Sequence, residues 1–549
     1  MVSARTRRVG PFEKIAFRQI LSWGLVSILL ALYSLLALQS DMASAVPALV
    51  AVSAVLVSLL ALVLYAEGRG AVRWSPTGIL LVAAGLRVLF VFGPPELSDD
   101  LYRYLWDGLQ LANGHNPYRA APSEMPPGDE ASRSLLGLIN HPDFITIYPP
   151  AAQLIFAAGA YLGEAFWGLK ILLLTMDLFT CFLILRLLTV LGLSPGRSIL
   201  YAWHPLPILE IGSSGHIDGA GLFFLFLSLA LLAVPLGRDA VRTASSPWFG
   251  RCRMLALRTF LAGLAFATAV LVKLFPLFFL PGLLMLVGKG HRSSFLVGVL
   301  TGASALVFPF MPEIGNLLGT LDFYLQNWEF AGLVFRVLRR TTLSGNSARL
   351  ILASLFLVSL AAVYGTLRRG KTAVVEADPG ERRQPPRVGA LPDPTAGSGV
   401  LPAHPPKEPS REPECRQDPA SVKLFRIPDP AATAKGPGCV TDLPLCGVLP
   451  RVLQAFSVVT VAFLFLTPTF HPWYALYLVC FLPFTLGTAR LVLSWGVFLS
   501  YYVLILYKPH GLWLENDWVP LWIWLAPACA FLLAVLFQRS RKGDETACP

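Results

Sequence analysis

Charged residues are scarce in this chain of 549 residues: Asp, Glu, Lys and Arg together make up only 14%. Soluble proteins carry about 25% charged residues and roughly 45–50% apolar ones, whereas hydrophobic residues account for 55% here and the mean hydropathy is +0.61. An average displaced this far over the whole chain indicates many membrane-spanning segments rather than one anchor. The composition therefore argues against a soluble enzyme, a coiled coil, a disulfide scaffold or a DNA-binding domain.

Cysteine is also sparse, and the chain lacks the short motifs of nucleotide-binding proteins. Its eight cysteines are scattered without the spacing of metal ligands or of a disulfide framework. Neither a P-loop nor a GxGxxG after a strand is present, which argues against direct use of ATP or a sugar nucleotide. The net charge of +11 does not indicate nucleic acid as a partner, because polytopic membrane proteins collect Lys and Arg in their cytoplasmic loops.

The apolar runs predict an all-α polytopic protein of the inner (plasma) membrane, with roughly 12–14 transmembrane helices of about 20 mostly apolar residues each. The basic N-terminus precedes a long apolar run without a small-residue cleavage site, so the first helix is expected to be retained and its N-terminus to be cytoplasmic. Helices are expected near 18–38, 46–66, 77–93, 148–164, 167–191, 217–236, 295–312, 347–366, 452–469, 473–487, 491–507 and 519–537.

The distribution of arginine predicts a re-entrant segment. Residues 237–258 are rich in arginine and therefore belong on the cytoplasmic side. Since 167–191 exits outward, the stretch 199–236 can cross only once, although SSGHID divides it into two apolar pieces. The first piece is therefore expected to be re-entrant from the outer side, where non-helical backbone can lie against protein or a water-filled cavity.

The same reasoning predicts a helical hairpin in 259–287. Basic residues flank this stretch on both sides, so it is expected to cross the membrane twice. The break would fall at 271–276, in the segment LVKLFP, which places Lys273 near the outer tip.

A Pro-rich segment divides the membrane part of the chain. Of the 44 prolines, 16 fall in residues 367–450, a composition typical of a disordered linker rather than a domain. The predicted organisation is a transmembrane core over 1–366 with outer loops at 94–147 and 313–345, the cytoplasmic linker 367–450, C-terminal transmembrane helices over 451–538 and a basic cytoplasmic tail over 539–549.

Asp99 and Asp100 are the first candidates for catalysis, at the start of the predicted outer loop. Paired carboxylates are suited to base catalysis on a hydroxyl group, or to binding a divalent metal cation beside a phosphate leaving group. The alternative is helix capping, because Ser-Asp-Asp before an apolar-periodic segment is a common helix start. Arg103 follows among aromatic residues at helical spacing, a pattern also typical of a helix on the membrane surface.

Cations on the predicted outer side are candidates for binding an anionic lipid phosphate. Lys273 stands alone in an apolar stretch, where snorkelling to the interface is the alternative. Arg336, with two further arginines in 313–345, runs against the positive-inside trend and could instead contact lipid headgroups. His471 precedes Pro-Trp-Tyr, and Tyr474 in that motif could equally belong to an interfacial aromatic belt.

Two further polar sites lie inside apolar segments, where polar groups are costly and usually functional. His216 and Asp218 are expected on the same side as the acidic pair, although they could form a simple polar helix start. Asp177 lies within a predicted helix and could pair with Arg186 or a backbone group.

Five segments in order resemble the successive motifs of bacterial membrane glycosyltransferases of the GT-C fold. The branch in question is the mannosyltransferase-like one, which is also similar to the catalytic subunit of GPI mannosyltransferase I. The segments span most of 75–490 outside the linker and read SDDLYRYLWDGLQLANGHNPY, IYPPAAQLIF, YAWHPLPILEIGSSGHIDG, YLQNWEFAGLVFRVLR and HPWYALYLVCFLPF.

The resemblance implies a polyprenyl-phosphate sugar donor, an extracytoplasmic active site, a glycan or lipid acceptor and a catalytic acidic pair, here Asp99 and Asp100. Two departures from the family pattern are present: the acidic pair is adjacent rather than spaced as DxD, and Ala331 stands where the family often has Asn. Two other functions remain open, a transporter or flippase of lipid-linked sugars and a non-catalytic lipid-binding subunit.

Overall fold

A computed structural model describes residues 11–39, 41–125, 130–163, 166–234, 247–341, 344–375 and 445–546. Within these ranges the chain forms helices joined by loops and contains no β-strand. Phe330 and Ala331 each form an isolated β-bridge with Thr469. The prediction of an all-α polytopic membrane protein is confirmed.

Eighteen α-helices are numbered here: α1 Pro11–Ala37, α2 Val46–Gly68, α3 Pro76–Val91, α4 Asp100–Ala112, α5 Glu130–Leu136, α6 Pro150–Leu162, α7 Phe166–Val190, α8 Asp218–Ala233, α9 Pro247–Val272, α10 Leu280–Leu286, α11 Arg292–Val307, α12 Ile314–Asn327, α13 Leu333–Arg340, α14 Gly345–Val375, α15 Leu445–Leu466, α16 Thr488–Gly496, α17 Leu504–His510 and α18 Trp518–Thr546. Shorter helical turns lie at Pro122–Glu124, Pro195–Ser198, Ile199–Ala202, Pro205–Pro207, Phe275–Phe279, Lys289–His291, Phe308–Glu313, Pro472–Ala475, Leu476–Val479 and Val497–Val503, and a π-helical segment at Ile208–Ser213.

Fewer helices reach membrane-spanning length than the 12–14 expected. In the part of the chain that the structure describes, nine helical segments are long and apolar enough to cross a bilayer, or ten if one bent pair counts as a span. Pro76–Val91, Pro150–Leu162 and Phe275–Leu286 are apolar but shorter. At 1.5 Å per residue, the 13 residues of α6 extend only about 20 Å, less than the hydrocarbon thickness of about 30 Å.

The break predicted at SSGHID is present. The chain bends by 119° between Pro205–Ser213 and Asp218–Ala233, the geometry of a re-entrant loop or a broken span. Gly215 takes a φ of +72° in the turn, a conformation that glycine adopts without steric cost. The chain therefore reverses at His216, whose side chain is fully buried.

The hairpin predicted in 259–287 also has its break where the sequence indicated. Helix α9 ends at Val272, and Phe275–Leu286 begins after two intervening residues. Gly263 of α9 lies against Phe295 of α11, and Gly302 farther along α11 lies against Ala267 farther along α9. The two packed helices are therefore parallel, so the chain between them must return across the same thickness, and Phe275–Leu286 makes that return.

Replacing Gly263 by Val is expected to separate α9 from α11 and to lower the free energy of unfolding by about 1–3 kcal/mol, the usual cost of overpacking. A Cβ atom at Gly263 would lie 2.1 Å from the carbonyl oxygen of Phe295, a clash with backbone that cannot rotate away. Gly365→Ala in α14 is the control, because nothing lies within 4 Å of its added atom. Unfolding of both variants in mixed detergent micelles measures the difference; equal stability would contradict the packing described.

Two of the predicted segments differ from the structure in their helical content. The segment 313–345, predicted as an outer loop, contains two helices, α12 and α13. The helix expected at 473–487 is replaced by short helical turns that end at Val479, followed by hydrogen-bonded turns up to Phe484. Pro483 accounts for this, since it lacks an N–H group and its ring clashes with the preceding turn of a helix.

Helices occupy both ends of the predicted linker, 367–450. Helix α14 continues to Val375 and α15 begins at Leu445, while residues 376–444 lie outside the described residues. The predicted basic tail is helical as far as Thr546, because α18 extends through it.

Candidate functional site

A large cavity of about 890 Å³ lies where the breaks in the helices meet. Its walls come from the loop before α4, the loop before α6, the break between α9 and Phe275, helix α12, the turn at Pro472–Ala475 and helix α17. The polar residues that line it include Asp99, Asp100, Arg103, Asn140, His141, Tyr148, Asp218, Lys273, Tyr324, Glu329, His471, Tyr474, Tyr501 and Lys508. Polar residues from distant parts of the sequence therefore converge on one site, as the predicted topology required.

Asp100 is held by two neutral donors. Asn140 Nδ2 donates to Asp100 Oδ1 at 3.0 Å, and the Tyr148 hydroxyl donates to Asp100 Oδ2 at 3.0 Å. The Asp100 side chain remains 18% exposed toward the cavity. These bonds orient the carboxylate without neutralising its charge.

Asp99 is paired with a lysine that the sequence analysis did not select. Lys508 Nζ donates to Asp99 Oδ1, and both side chains face the cavity. Asp99 occupies the position before α4, yet its side chain makes no capping hydrogen bond to that helix. Capping therefore does not account for Asp99.

Asp218 and Lys273 form a second ion pair on the cavity wall. Lys273 Nζ lies 3.2 Å from Asp218 Oδ2, and it also lies over the rings of Tyr148 and Tyr474, at 5.9 and 5.5 Å from their centroids. Asp218 is fully buried, whereas Lys273 is 21% exposed. The lysine is thus held among aromatic rings with its ammonium group at the cavity.

The four carboxylates that line the cavity differ in their partners. Asp99 pairs with Lys508, Asp218 with Lys273, and Glu329 with Arg349 at 2.9 Å. Within the described residues, Asp100 alone among the four has no lysine or arginine within ion-pair distance. A carboxylate without a cation partner is the one best able to accept a proton from a bound hydroxyl group.

His216 lies behind the cavity wall rather than on it. Its Nε2 is 3.2 Å from Glu210 Oε2, and its Nδ1 is 3.9 Å from Asp100 Oδ2. Glu210 in turn accepts a hydrogen bond from the Tyr501 hydroxyl, and the His216 ring stacks on Trp473 at 4.1 Å. The structure therefore brings His216 close to Asp100, in a position where its ring can support that carboxylate.

His471 and Tyr474 face the cavity as part of an aromatic stack. The His471 ring lies between Phe330, at 4.9 Å, and Trp473, at 4.3 Å. The Tyr474 hydroxyl is 3.1 Å from that of Tyr324. These side chains therefore line the cavity and do not form the interfacial aromatic belt that was the alternative for this motif.

Arg103 lines the cavity edge, but its guanidinium is already engaged. Its Nε donates to Asp107 Oδ1 at 2.8 Å and its Nη1 donates to the carbonyl of Phe144 at 2.9 Å. The aromatic residues beside it do not face the membrane surface, because Tyr104 and Trp106 are buried and Tyr104 stacks on Phe156 of α6. Helix α4 is thus a packed element that fixes the acidic pair.

Arg336 does not line the cavity. It pairs with Glu515 and with Asp517, the latter at 3.1 Å, and Arg340 also pairs with Asp517. Glu515 additionally accepts from the backbone N–H of Ala331 at 2.8 Å. The expected phosphate contact by Arg336 is therefore replaced by a link between the segment around α13 and the loop before α18.

His141 in the loop before α6 has an unusual backbone conformation, with a φ of +52°. Its ring contacts Trp328 edge-on at 4.8 Å at the cavity wall, and burial lowers its pKa below the usual value. A histidine with a lowered pKa is neutral near pH 7. Strained residues of this kind cluster at functional sites.

The sequence analysis missed Glu210 and Lys508 as parts of this site. Glu210 is an acid within the apolar segment PILEIGSS, a signal of the type that identified Asp218. Lys508 begins the segment 508–517 between two predicted helices, which the parity of crossings predicts to be outside, so it breaks the positive-inside trend as Arg336 does. Asn140 and Tyr148 carry no comparable signal, since neither residue type is unusual in a loop.

Comparison of the chain with models of known protein families, with curated proteins and with solved structures gives no match.

Proposed function

We propose that the protein is an integral membrane glycosyltransferase that moves a hexose, with mannose as the first candidate, from a polyprenyl-phosphate donor to a glycan or lipid acceptor. The observation that carries the proposal is Asp100, a carboxylate with no lysine or arginine partner among the described residues, in a largely apolar cavity that two lysines also line. The five motifs that resemble the GT-C family contribute Asp100 and most of the other polar residues that line the cavity, but neither lysine.

In the proposed reaction, Asp100 accepts the proton of an acceptor hydroxyl group as its oxygen attacks the anomeric carbon of the donor sugar. The bond between that carbon and the phosphate oxygen breaks, and polyprenyl phosphate leaves with the bonding electrons. The acceptor oxygen gains the sugar in a single displacement, with inversion at the anomeric carbon. General-base assistance of this kind contributes typically a factor of 10²–10⁴.

The cavity offers suitable surroundings for both halves of such a donor. Leu274, Leu277, Phe278 and Phe463 supply an apolar wall on which a polyprenyl chain can pack. Lys273 and His471 lie on the same cavity and can contact the departing phosphate. Cations at a site of low water content stabilise developing negative charge far more than they would in water.

Lys273→Met is expected to lower kcat/KM for the donor by about one to two orders of magnitude. This is the usual effect of losing one hydrogen bond to a charged group. Because it also leaves Asp218 buried without its partner, the protein should become less stable. The double variant Lys273→Met/Asp218→Asn should recover stability but not donor use. Donor KM, kcat and thermal stability are measured together; normal donor kinetics in the double variant would remove Lys273 from the phosphate site.

The proposal is tested by supplying purified protein in sealed proteoliposomes with polyprenyl-phosphate mannose and a cell-envelope glycan extract. A transferase releases polyprenyl phosphate and labels the glycan when donor and acceptor are on one side of the membrane. A flippase would instead move the intact donor to the other leaflet without releasing the lipid phosphate. Movement without release would overturn the proposal, and so would the absence of both across a panel of hexose donors.

A further inference from the structure

Lys508 brings a cation from the C-terminal part of the chain to the acidic pair of the N-terminal part. It lies in the last turn of α17, where Gly511 ends the helix in a left-handed conformation. Its ammonium group donates to Asp99, and the side chains of Lys508 and Asp99 are 26% and 22% exposed, respectively. Both line the cavity, so the pair is accessible to a bound molecule.

The oxygen atoms of the acidic pair are not arranged for a divalent metal ion. Asp99 Oδ1 accepts from Lys508, while Asp100 Oδ1 and Oδ2 accept from Asn140 and Tyr148. A divalent cation requires several oxygen ligands that converge on one point. No group of three or more His, Cys, Asp or Glu side chains that could hold a metal ion is present among the described residues. The donor set therefore does not fit the metal that an acidic pair suggests.

We infer that Lys508, positioned by Asp99, binds the phosphate group of the lipid substrate in the place that a metal ion would otherwise occupy. The inference rests on the proposed function, because it assigns the phosphate-binding cation of that same site. Lysine binds phosphate as a point charge, and Lys273 supplies a second ammonium group on the same cavity. Two such charges offset the charge of a phosphodiester or of the phosphate monoester that leaves.

This assignment separates the roles of the two aspartates. Asp99 holds the ammonium group of Lys508 in the cavity. When the lipid phosphate binds, its oxygen atoms share that ammonium group with the Asp99 carboxylate. Asp100, whose donors are neutral, keeps its negative charge available for the acceptor hydroxyl. An adjacent pair can thus serve both functions, although its members are not spaced to share a metal ion.

The first test compares binding of a polyprenyl phosphate with binding of the matched polyprenol to the full chain in nanodiscs. Lys508→Met is expected to lower affinity for the phosphate by about 10- to 100-fold and to leave affinity for the alcohol unchanged. Lys508→Arg should retain most of the preference for phosphate. Arg340→Met is the matched control, because Arg340 is also paired with an aspartate but does not line the cavity.

A purely structural role for the Lys508–Asp99 pair predicts a different result: both ligands would bind more weakly, in parallel with a fall in thermal stability. That outcome, or unchanged preference for phosphate in Lys508→Met, would overturn the inference. Treatment of the wild-type protein with EDTA should leave the preference intact, and its loss would also overturn the inference. Since the ligands carry no sugar, failure of sugar transfer would count against the proposed function without deciding this binding result.

Discussion

Asp100→Asn is expected to lower the rate of sugar transfer by a factor of about 10²–10⁴, the largest effect on activity of any single substitution in the cavity. An amide cannot accept the proton of the acceptor hydroxyl group, whereas it can still accept hydrogen bonds from Asn140 or Tyr148 through its oxygen. The folded structure should therefore survive, and the loss should appear in kcat rather than in binding of the donor. Steady-state kinetics with purified protein measure both.

Asp99→Asn should have a smaller effect that falls mainly on donor KM, because Asp99 acts by positioning Lys508. Asp322→Asn is the matched control, since Asp322 is on α12, bonds to Gln326 and does not line the cavity. If Asp100→Asn retained near-normal turnover in folded protein, or if Asp99→Asn were the more damaging variant, the assignment of the base would be wrong.

Arg87→Met is expected to lower the free energy of unfolding by about 3–5 kcal/mol, the usual result of removing one partner of a buried ion pair. Arg87 of α3 donates from Nε to Asp177 Oδ2 of α7 at 2.6 Å, and its Nη1 donates to the carbonyl of Ala202 at 2.7 Å. Both side chains are almost completely inaccessible, at 1% and 0% exposure. The substitution leaves the Asp177 carboxylate buried without a counterion, which is costly in a low-dielectric interior.

The double variant Arg87→Met/Asp177→Leu should recover much of that loss, because no charge then remains buried. Arg186→Met is the control: Arg186 is on the same helix as Asp177 but is exposed, so its loss should be nearly neutral. Unfolding in mixed detergent micelles gives all three values. A loss below about 1 kcal/mol for Arg87→Met would show that the ion pair is hydrated rather than buried.

Arg87–Asp177 also illustrates what the sequence could not predict about the fold. Composition and the distribution of arginine predicted the membrane class, the break at SSGHID and the hairpin at Lys273, because these depend on hydrophobicity and on the parity of crossings. The partner of Asp177 was predicted as Arg186 or a backbone group, and that prediction was wrong. Local spacing suggests partners along one helix, whereas Arg87 comes from another helix, and its approach depends on tertiary packing.

For the candidate site as well, the sequence predicted several of the residues but not their partners. Asp218 and Lys273 were selected because charges in apolar surroundings are rare, and Asp100 because it belongs to a pair of carboxylates; the structure brings all three to one cavity. Arg336 was selected because it breaks the positive-inside trend, but it pairs with Glu515, which no sequence pattern links to it. Lys508 breaks the positive-inside trend in the same way, but its contact with Asp99, 409 residues away, follows from no sequence pattern.

The central claim is that Asp100 activates an acceptor for attack on a lipid-linked sugar. Its most direct test is single-turnover transfer from radiolabelled polyprenyl-phosphate mannose to an envelope glycan extract, with wild type, Asp100→Asn and Asp322→Asn compared at saturating donor. We expect rapid transfer by wild type and Asp322→Asn, with transfer by Asp100→Asn slower by a factor of about 10²–10⁴ although donor binding is retained. Equal single-turnover rates for all three proteins would contradict the account.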